Sequence, residues 1–212
     1  MDVVGLGCSC IDILEVVSRI PGVDEELEAI ETKYQGGGEV ATALVTLAKL
    51  GSSTGYIGKV GDDFIGQMIK DDLEMAGVDV SDLVVERGAI SLASVVLVDN
   101  ETGKRTIISG RSTVSDLKPS ELNKESIKNA KFILLDGTDY NSAIETANIA
   151  RSSSVIVVLD ADISSSRSES ANLIKLTDIV IASEAFALSF SSTDDIERAA
   201  ATISDIGSAV TV

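Results

Sequence analysis

Histidine and tryptophan are absent from the 212 residues, and aromatic side chains make up only 3% of them. Without histidine there is no Ser-His-Asp hydrolysis, no imidazole acid/base chemistry and no His-ligated zinc. Any catalysis must rest on carboxylates, lysine, arginine and backbone amides. Basic residues are scarce as well: 17 Lys plus Arg stand against 34 Asp plus Glu, a formal charge of −17. That field repels nucleic acid and anionic membrane, and the shortage of aromatics removes the platforms on which bases stack. The acidity itself is of the kind that serves solubility or adaptation to salt. No apolar run reaches the length of a membrane span, and no basic region precedes an apolar N-terminal segment, so a cytoplasmic location is expected. Only two cysteines are present, Cys8 and Cys10, too close in sequence for an ordinary disulfide and without further ligands for a metal. They read as reduced packing residues.

The chain does have apolar content, 44% of its residues, which is ample for the core of a single domain over residues 1–212. A short apolar strand is expected at Val3 to Cys8, leaving the sheet at Asp12, and the text from Ile13 to Tyr34 looks extended and poorly amphipathic. A helix is expected from Glu39 to Leu50 with Gly51 as its stop, then a strand from Ser53 to Lys59. A second helix from Asp62 to Ala76 would bury Phe64, Ile65, Met68, Ile69 and Leu73. Leu92–Val98 and Arg105–Ser109 flank a turn through Asn100 to Gly103 and predict a hairpin. After Pro119, apolar strands at Phe132–Asp136, Val155–Asp160, Ile179–Ala182 and Ala209–Val212 alternate with helical patterns at Ser142–Arg151, Ser168–Lys175 and Thr193–Ile206. That rhythm predicts a parallel sheet with helical crossovers. The fold class is therefore α/β, a three-layer parallel-sheet body carrying a small appended β-sheet from segments 13–35 and 90–110.

In such sheets ligands bind at the carboxyl ends of the strands, and those exits carry Asp12, Asp136, Asp160 and the pair Ser183, Glu184. Each aspartate is equally readable as a helix cap or turn residue. Asp12 stands out because the appended segment begins beside it. Gly36-Gly37-Gly38 opens a helix directly, which either brings free amides and a positive dipole end to a ligand or makes a tight turn against the sheet. No GK[ST] follows, so the block is not a Walker A loop, and Gly5-Leu6-Gly7 lacks the third glycine of a dinucleotide fingerprint. That absence speaks against a nucleotide-dependent oxidoreductase.

The segments VVGLGCSCIDIL, QGGGEVATALVTLAKLG, IGKVGDDFIGQMI, ETGKRTII, FILLDGT and VIVVLDAD together resemble the ribokinase-like, or PfkB, carbohydrate kinases over the whole chain. The resemblance implies an enzyme that uses ATP and Mg²⁺ to phosphorylate a sugar or related polyol, with the small sheet as a lid over the sugar and, in many members, as a homodimer contact. It implies that Asp12 accepts hydrogen bonds from sugar hydroxyls and that Gly37 and Gly38 form the lid hinge and sugar site. Glu39 and Thr42 stand where the family often has asparagines that hold the sugar. Arg111 resembles a basic residue that reaches the transferred phosphate, and it is also readable as a solvated loop arginine; Arg105 matches the arginine of the lid turn. Ser183 and Glu184 fall in the place of the NxxE motif that organises magnesium and phosphate, and of its two named residues only the carboxylate is kept. The DTxGAGD signature, which supplies the catalytic base and anion hole, does not occur in the sequence, so the expectation is an N-terminal portion of such a kinase with the base beyond Val212. The rival is a noncatalytic sugar-binding or dimerisation module.

Overall fold

The computed structural model describes residues 1–162, 167–207 and 210–212. In chain order the elements are β1 (Val3–Leu6), β2 (Cys10–Val17), β3 (Glu31–Gly37), α1 (Glu39–Lys49), β4 (Thr54–Gly61), α2 (Phe64–Met75), β5 (Leu83–Glu86), β6 (Ala93–Asp99) and β7 (Arg105–Ser109). After a 3₁₀ turn at Pro119–Glu121 come α3 (Lys124–Lys128), β8 (Phe132–Leu135), α4 (Tyr140–Ser152), β9 (Ile156–Ala161), α5 (Arg167–Ile174), β10 (Ile179–Ala182), α6 (Glu184–Ser191), α7 (Ile196–Ile206) and β11 (Val210–Thr211). The expected last strand began at Ala209, which lies outside the described residues.

Seven strands form one parallel sheet in the order β11-β10-β9-β8-β1-β4-β5. Alternation decides which helices each strand meets, because successive side chains point to opposite faces. Val4, Leu6, Ile57, Ile133 and Leu135 pack with the alanines of α4 and with Phe186, Ala187, Ala199 and Ile203 of α6 and α7. Val3, Tyr56 and Leu134 turn the other way, toward Val40 and Leu44 of α1 and Ile69 and Leu73 of α2. The body is thus three layers with a core on each side of the sheet. Phe64 does not join that core: Asp63 caps α2 by accepting the Gly66 amide, which sets Phe64 as the first helical residue and leaves it 77% exposed.

Four strands make a second sheet, β3-β2-β6-β7. β2 runs antiparallel to β3 and parallel to β6, and β6 and β7 are the expected hairpin. Its tight end is held by Asp99, whose carboxylate accepts the amides of Glu101 and Thr102. Asp12 belongs here rather than at the exit of the first body strand. β1 ends at Leu6 because the next residues turn: the Asp136 carboxylate accepts the Cys8 amide at 2.6 Å, and the Tyr56 hydroxyl donates to the Gly7 carbonyl at 2.7 Å. The chain re-enters extended structure at Cys10, already in the second sheet.

Candidate active site

The turn at Gly7–Ser9 is the floor where the two sheets meet, and packing leaves no freedom in it. A Cβ on Gly7 would stand 2.5 Å from the Asp136 carboxyl carbon. Tyr56, fully buried, fixes the turn from below through the Gly7 carbonyl and the Ser9 hydroxyl, 2.9 Å away. The glycine run comes down beside it. Gly38 is the N-cap of α1 with φ 93° and ψ 140°, and a Cβ there would collide with the Cys8 carbonyl oxygen and lie 2.8 Å from the Ser9 Cα. Gly37 pairs with Cys10 across the β2–β3 ladder, and a Cβ on it would run into the Asp12 carboxylate, whose Cγ is 3.0 Å away. So the structure brings Asp12, Gly37, Gly38 and Glu39 to one place.

Around this floor stand the exits of the central strands. Asp136 follows β8, Asp160 is the next-to-last residue of β9 with Asp162 just beyond the strand, and Ser183 follows β10. The order of strands puts them side by side along one rim. Their carboxyls perturb one another. Burial raises Asp136 above the ordinary range, against the pull of its bonds from the Cys8 and Thr138 amides. Burial likewise raises Asp160, with Asp136 and Asp162 adding to it. Glu39, whose carboxyl is partly shielded, is raised by that desolvation and by Asp136, Asp160 and Asp162. Asp139, in a left-handed conformation ahead of α4, is pushed up to about 6 by burial, with Asp116 and Asp136 contributing. The Cys8 thiol goes up to about 12, first by burial and then through Asp136, Glu39, Asp12 and Asp139. It is inert as a nucleophile at neutral pH.

Of the other expected residues, Thr42 borders the floor, its amide donating to the Gly38 carbonyl, while Ser183, Glu184 and Arg111 stand apart. Thr42 is exposed and lines a crevice of about 210 Å³ between α1 and α2, with Ser9, Gly37, Thr46, Lys49 and Asp72. Ser183 caps α6 by accepting the Phe186 amide, and Glu184 is exposed in that helix's first turn, three strands across the rim from β1. Arg111 is exposed, two residues beyond β7, where the Gly110 amide bonds the Ala93 carbonyl at the body end of the second sheet. Sequence reasoning missed Asp139 and Asp162. An acid shortly after an apolar strand was the available signal, and it had been used only for Asp136 and Asp160.

The profile of the pfkB family carbohydrate kinases matches residues 2–212. The chain belongs to this family. Among its curated relatives, the 5-dehydro-2-deoxygluconokinase of Bacillus velezensis is 33% identical over 171 residues, 76% of this chain and 50% of that protein. The ATP-dependent ribose-1-phosphate kinase of Halopiger xanaduensis is 30% identical over 149 residues, 70% of this chain and 50% of the relative. This pfkB chain therefore spans about half the length of the curated relatives it matches. Solved structures share its fold. The ribokinase from Giardia lamblia superposes with a TM-score of 0.84 at 18% identity, covering 99% of this chain and 68% of that one. The Arabidopsis thaliana ribokinase complexed with ribose and ATP gives 0.79 at 23% identity, over 99% and 69%.

As a pfkB chain, its oxygen-rich rim can be weighed against magnesium. Among the described residues no group of three His, Cys, Asp or Glu side chains could hold a metal ion. Mg²⁺ ordinarily keeps several waters and is shared between one or two carboxylates and the phosphates of a substrate.

Proposed function

We propose that this chain forms the sugar-holding part of an ATP-dependent carbohydrate kinase that transfers a phosphoryl group to a hydroxyl of a sugar or related polyol. The observation that carries the reading is the Asp12 carboxylate lying against Gly37, beside the start of α1. A carboxylate at such a place accepts hydroxyl hydrogen bonds. In this reading Asp12, Gly37, Gly38 and Glu39 line the sugar, and Thr42 meets it from the crevice side. The second sheet, with segments 13–35 and 90–110, covers the site as a lid. Arg111, at the lid's body end, offsets charge on the transferred phosphoryl group, which spreads over its oxygens in the transition state. Ser183 and Glu184 serve the nucleotide and Mg²⁺ side of the rim. When bound, Mg²⁺ supplies charge neutralisation between phosphate oxygens. The base that takes the hydroxyl proton is not assigned to any of these residues. In this reading the chain works in the cytoplasm, which supplies ATP. Exposed Tyr34 and Ile108, in one row across the second sheet through Ile13 and Val95, offer a surface through which a homodimer forms.

Calorimetry of the chain with a panel of hexoses, pentoses and nucleosides tests the reading. At least one sugar should bind, and Asp12→Ala should weaken that affinity by about 1–3 kcal/mol through loss of a charge-assisted contact. Identical affinities for variant and wild type, or no binding across the panel, would remove the sugar site.

A further inference from the structure

The two faces of the parallel sheet are covered unequally. On one face Val4, Ile133, Val157 and Val180, from β1, β8, β9 and β10, are buried in one cluster with side chains of α4, α6 and α7. On the other face α1 and α2 pack over β1 and β4, and Leu134 and Val158 meet only the margin of their cluster. Beyond that margin apolar side chains face outward: Ile156 is 39% exposed and Ile181 45%. Alternation and register set them in one patch, with Phe132 beside Ile156, Leu134 beside Val158, and Ile181 next along β10 on the same face. Together with Ala43 and Leu47 of α1, the patch lines an apolar trough of about 690 Å³. Its rim carries Asp2 and Lys131, paired at 2.7 Å.

Parallel sheets are ordinarily covered on both faces, and an exposed apolar patch rimmed by polar groups marks an interaction surface. We propose that this trough is a protein interface, and that its occupant is an amphipathic helix from the polypeptide corresponding to the half of the curated relatives that this chain does not match. Two observations choose that occupant. Helix α1 already lies on the same face and forms one wall of the trough through Ala43 and Leu47, so a second helix about 8–10 Å from its axis completes the layer. The relatives also have the polypeptide to supply it: the chain covers 50% of the Bacillus velezensis and Halopiger xanaduensis proteins, and 68% and 69% of the two solved ribokinases that share its fold. A second copy of the chain is the competing occupant, and charge opposes it, because each copy brings a net −17. Since Ile181 pairs with Asp160, the trough runs up to the rim, and whatever fills it borders the candidate active site. The interface stands apart from the sugar reading.

The test is co-expression of the 212-residue chain with a separate polypeptide, the half of the Bacillus velezensis relative that the chain does not match. The two should purify as a 1:1 complex. Ile181→Asp, which sets a carboxylate in the trough, should lower the yield of complex about tenfold or more. Val85→Asp should leave it unchanged, because Val85 is 53% exposed on β5, at the far edge of the sheet. Acetylation of the purified complex should find Lys131 shielded relative to the chain alone, and Lys33, on the second sheet, equally reactive in both. Failure of the two polypeptides to associate would overturn the proposal, and so would equal yields from the two variants. A wild-type chain that dimerises by itself in the ultracentrifuge, and loses the dimer in Ile181→Asp, would assign the trough to a second copy and overturn the occupant named here. Should Ile181→Asp not fold, as judged by circular dichroism, a Lys131 acetylated equally fast in the complex and in the chain alone would overturn the interface instead.

Discussion

Gly38→Ala is the substitution whose consequence can be worked out most fully, because the same helix provides its control. Gly38 at the start of α1 has φ 93°, and Gly51, just past its end, has φ 95°. Backbone strain is therefore nearly equal for an added methyl group. What differs is the space. At Gly51 a Cβ meets nothing within 4 Å, whereas at Gly38 it meets main chain, with the Cys8 carbonyl carbon at 2.7 Å and the Ser9 Cα at 2.8 Å. Those atoms cannot rotate away as a side chain would. They belong to the turn pinned by Tyr56 and Asp136. Strain alone should cost Gly51→Ala about 1 kcal/mol. Gly38→Ala adds overlap in a packed site, for a total of about 2–5 kcal/mol. For a chain of this size each kcal/mol is worth roughly 2–4 °C in melting temperature. Urea titration of both variants against wild type reads the difference directly. If the two lose the same stability, the close approach of Gly38 to Cys8 and Ser9 is not a constraint, and the account of the floor is wrong.

The rim and the buried ion pair give two more expectations. Asp139 has its folded pKa raised from 3.8 to about 6, so the folded state holds the proton longer and wild-type stability falls as pH rises from about 4 to about 6. Asp139→Asn, which tolerates the left-handed backbone, should match wild type near pH 4 and exceed it by about 1–2 kcal/mol above pH 6 in chemical denaturation; a constant difference across that range would refute the assignment. Lys59 is 8% exposed at its side chain, 3.1 Å from both Ser115 and Glu121 and 3.8 Å from Glu86. Lys59→Met should leave two carboxylates without their cation and cost about 1–2 kcal/mol, discounted for their partial exposure, and an unaltered urea midpoint would show that the cluster contributes nothing.

The body was legible in the sequence because it obeys a strong period: Phe132–Leu135, Ile156–Ala161 and Ile179–Ala182 are apolar runs between helical patterns, and each is a parallel strand. The hairpin was legible through its turn, where Asp99 and Gly103 make the connection. Asp12 was singled out correctly as a residue near the glycines but misplaced at the exit of the first strand. Nothing in the local text VVGLGCSCIDIL says that β1 stops after Leu6. That break is imposed by Asp136, a hundred and twenty-eight residues downstream of Cys8, and by Tyr56 beneath. Phe64 was misassigned for a related reason, since periodicity cannot tell whether the first residue of a helix has reached the core or still overhangs it. Which carboxylates influence one another is likewise a tertiary fact: Glu39, Asp136 and Asp160 are far apart in sequence, and only the folded chain places the charges of Asp136 and Asp160 where they raise Glu39.

The glycine run shows how packing and function share one cause. Within the structure, the atoms that forbid side chains at Gly37 and Gly38 are the protein's own: Asp12 and Cys10 against one, the Cys8–Ser9 backbone against the other. A ligand is not needed to explain the glycines. Their effect is to let the two sheets join at a bare turn, with Asp12 of the second sheet against Gly37 and α1 starting directly after Gly38. The turn itself is held by Tyr56 and Asp136; Asp12 and Glu39 are the side chains proposed above to meet the sugar. Substitutions at the glycines should therefore be read out first in stability, and substitutions at Asp12 and Glu39 in ligand choice with the melting temperature nearly unchanged.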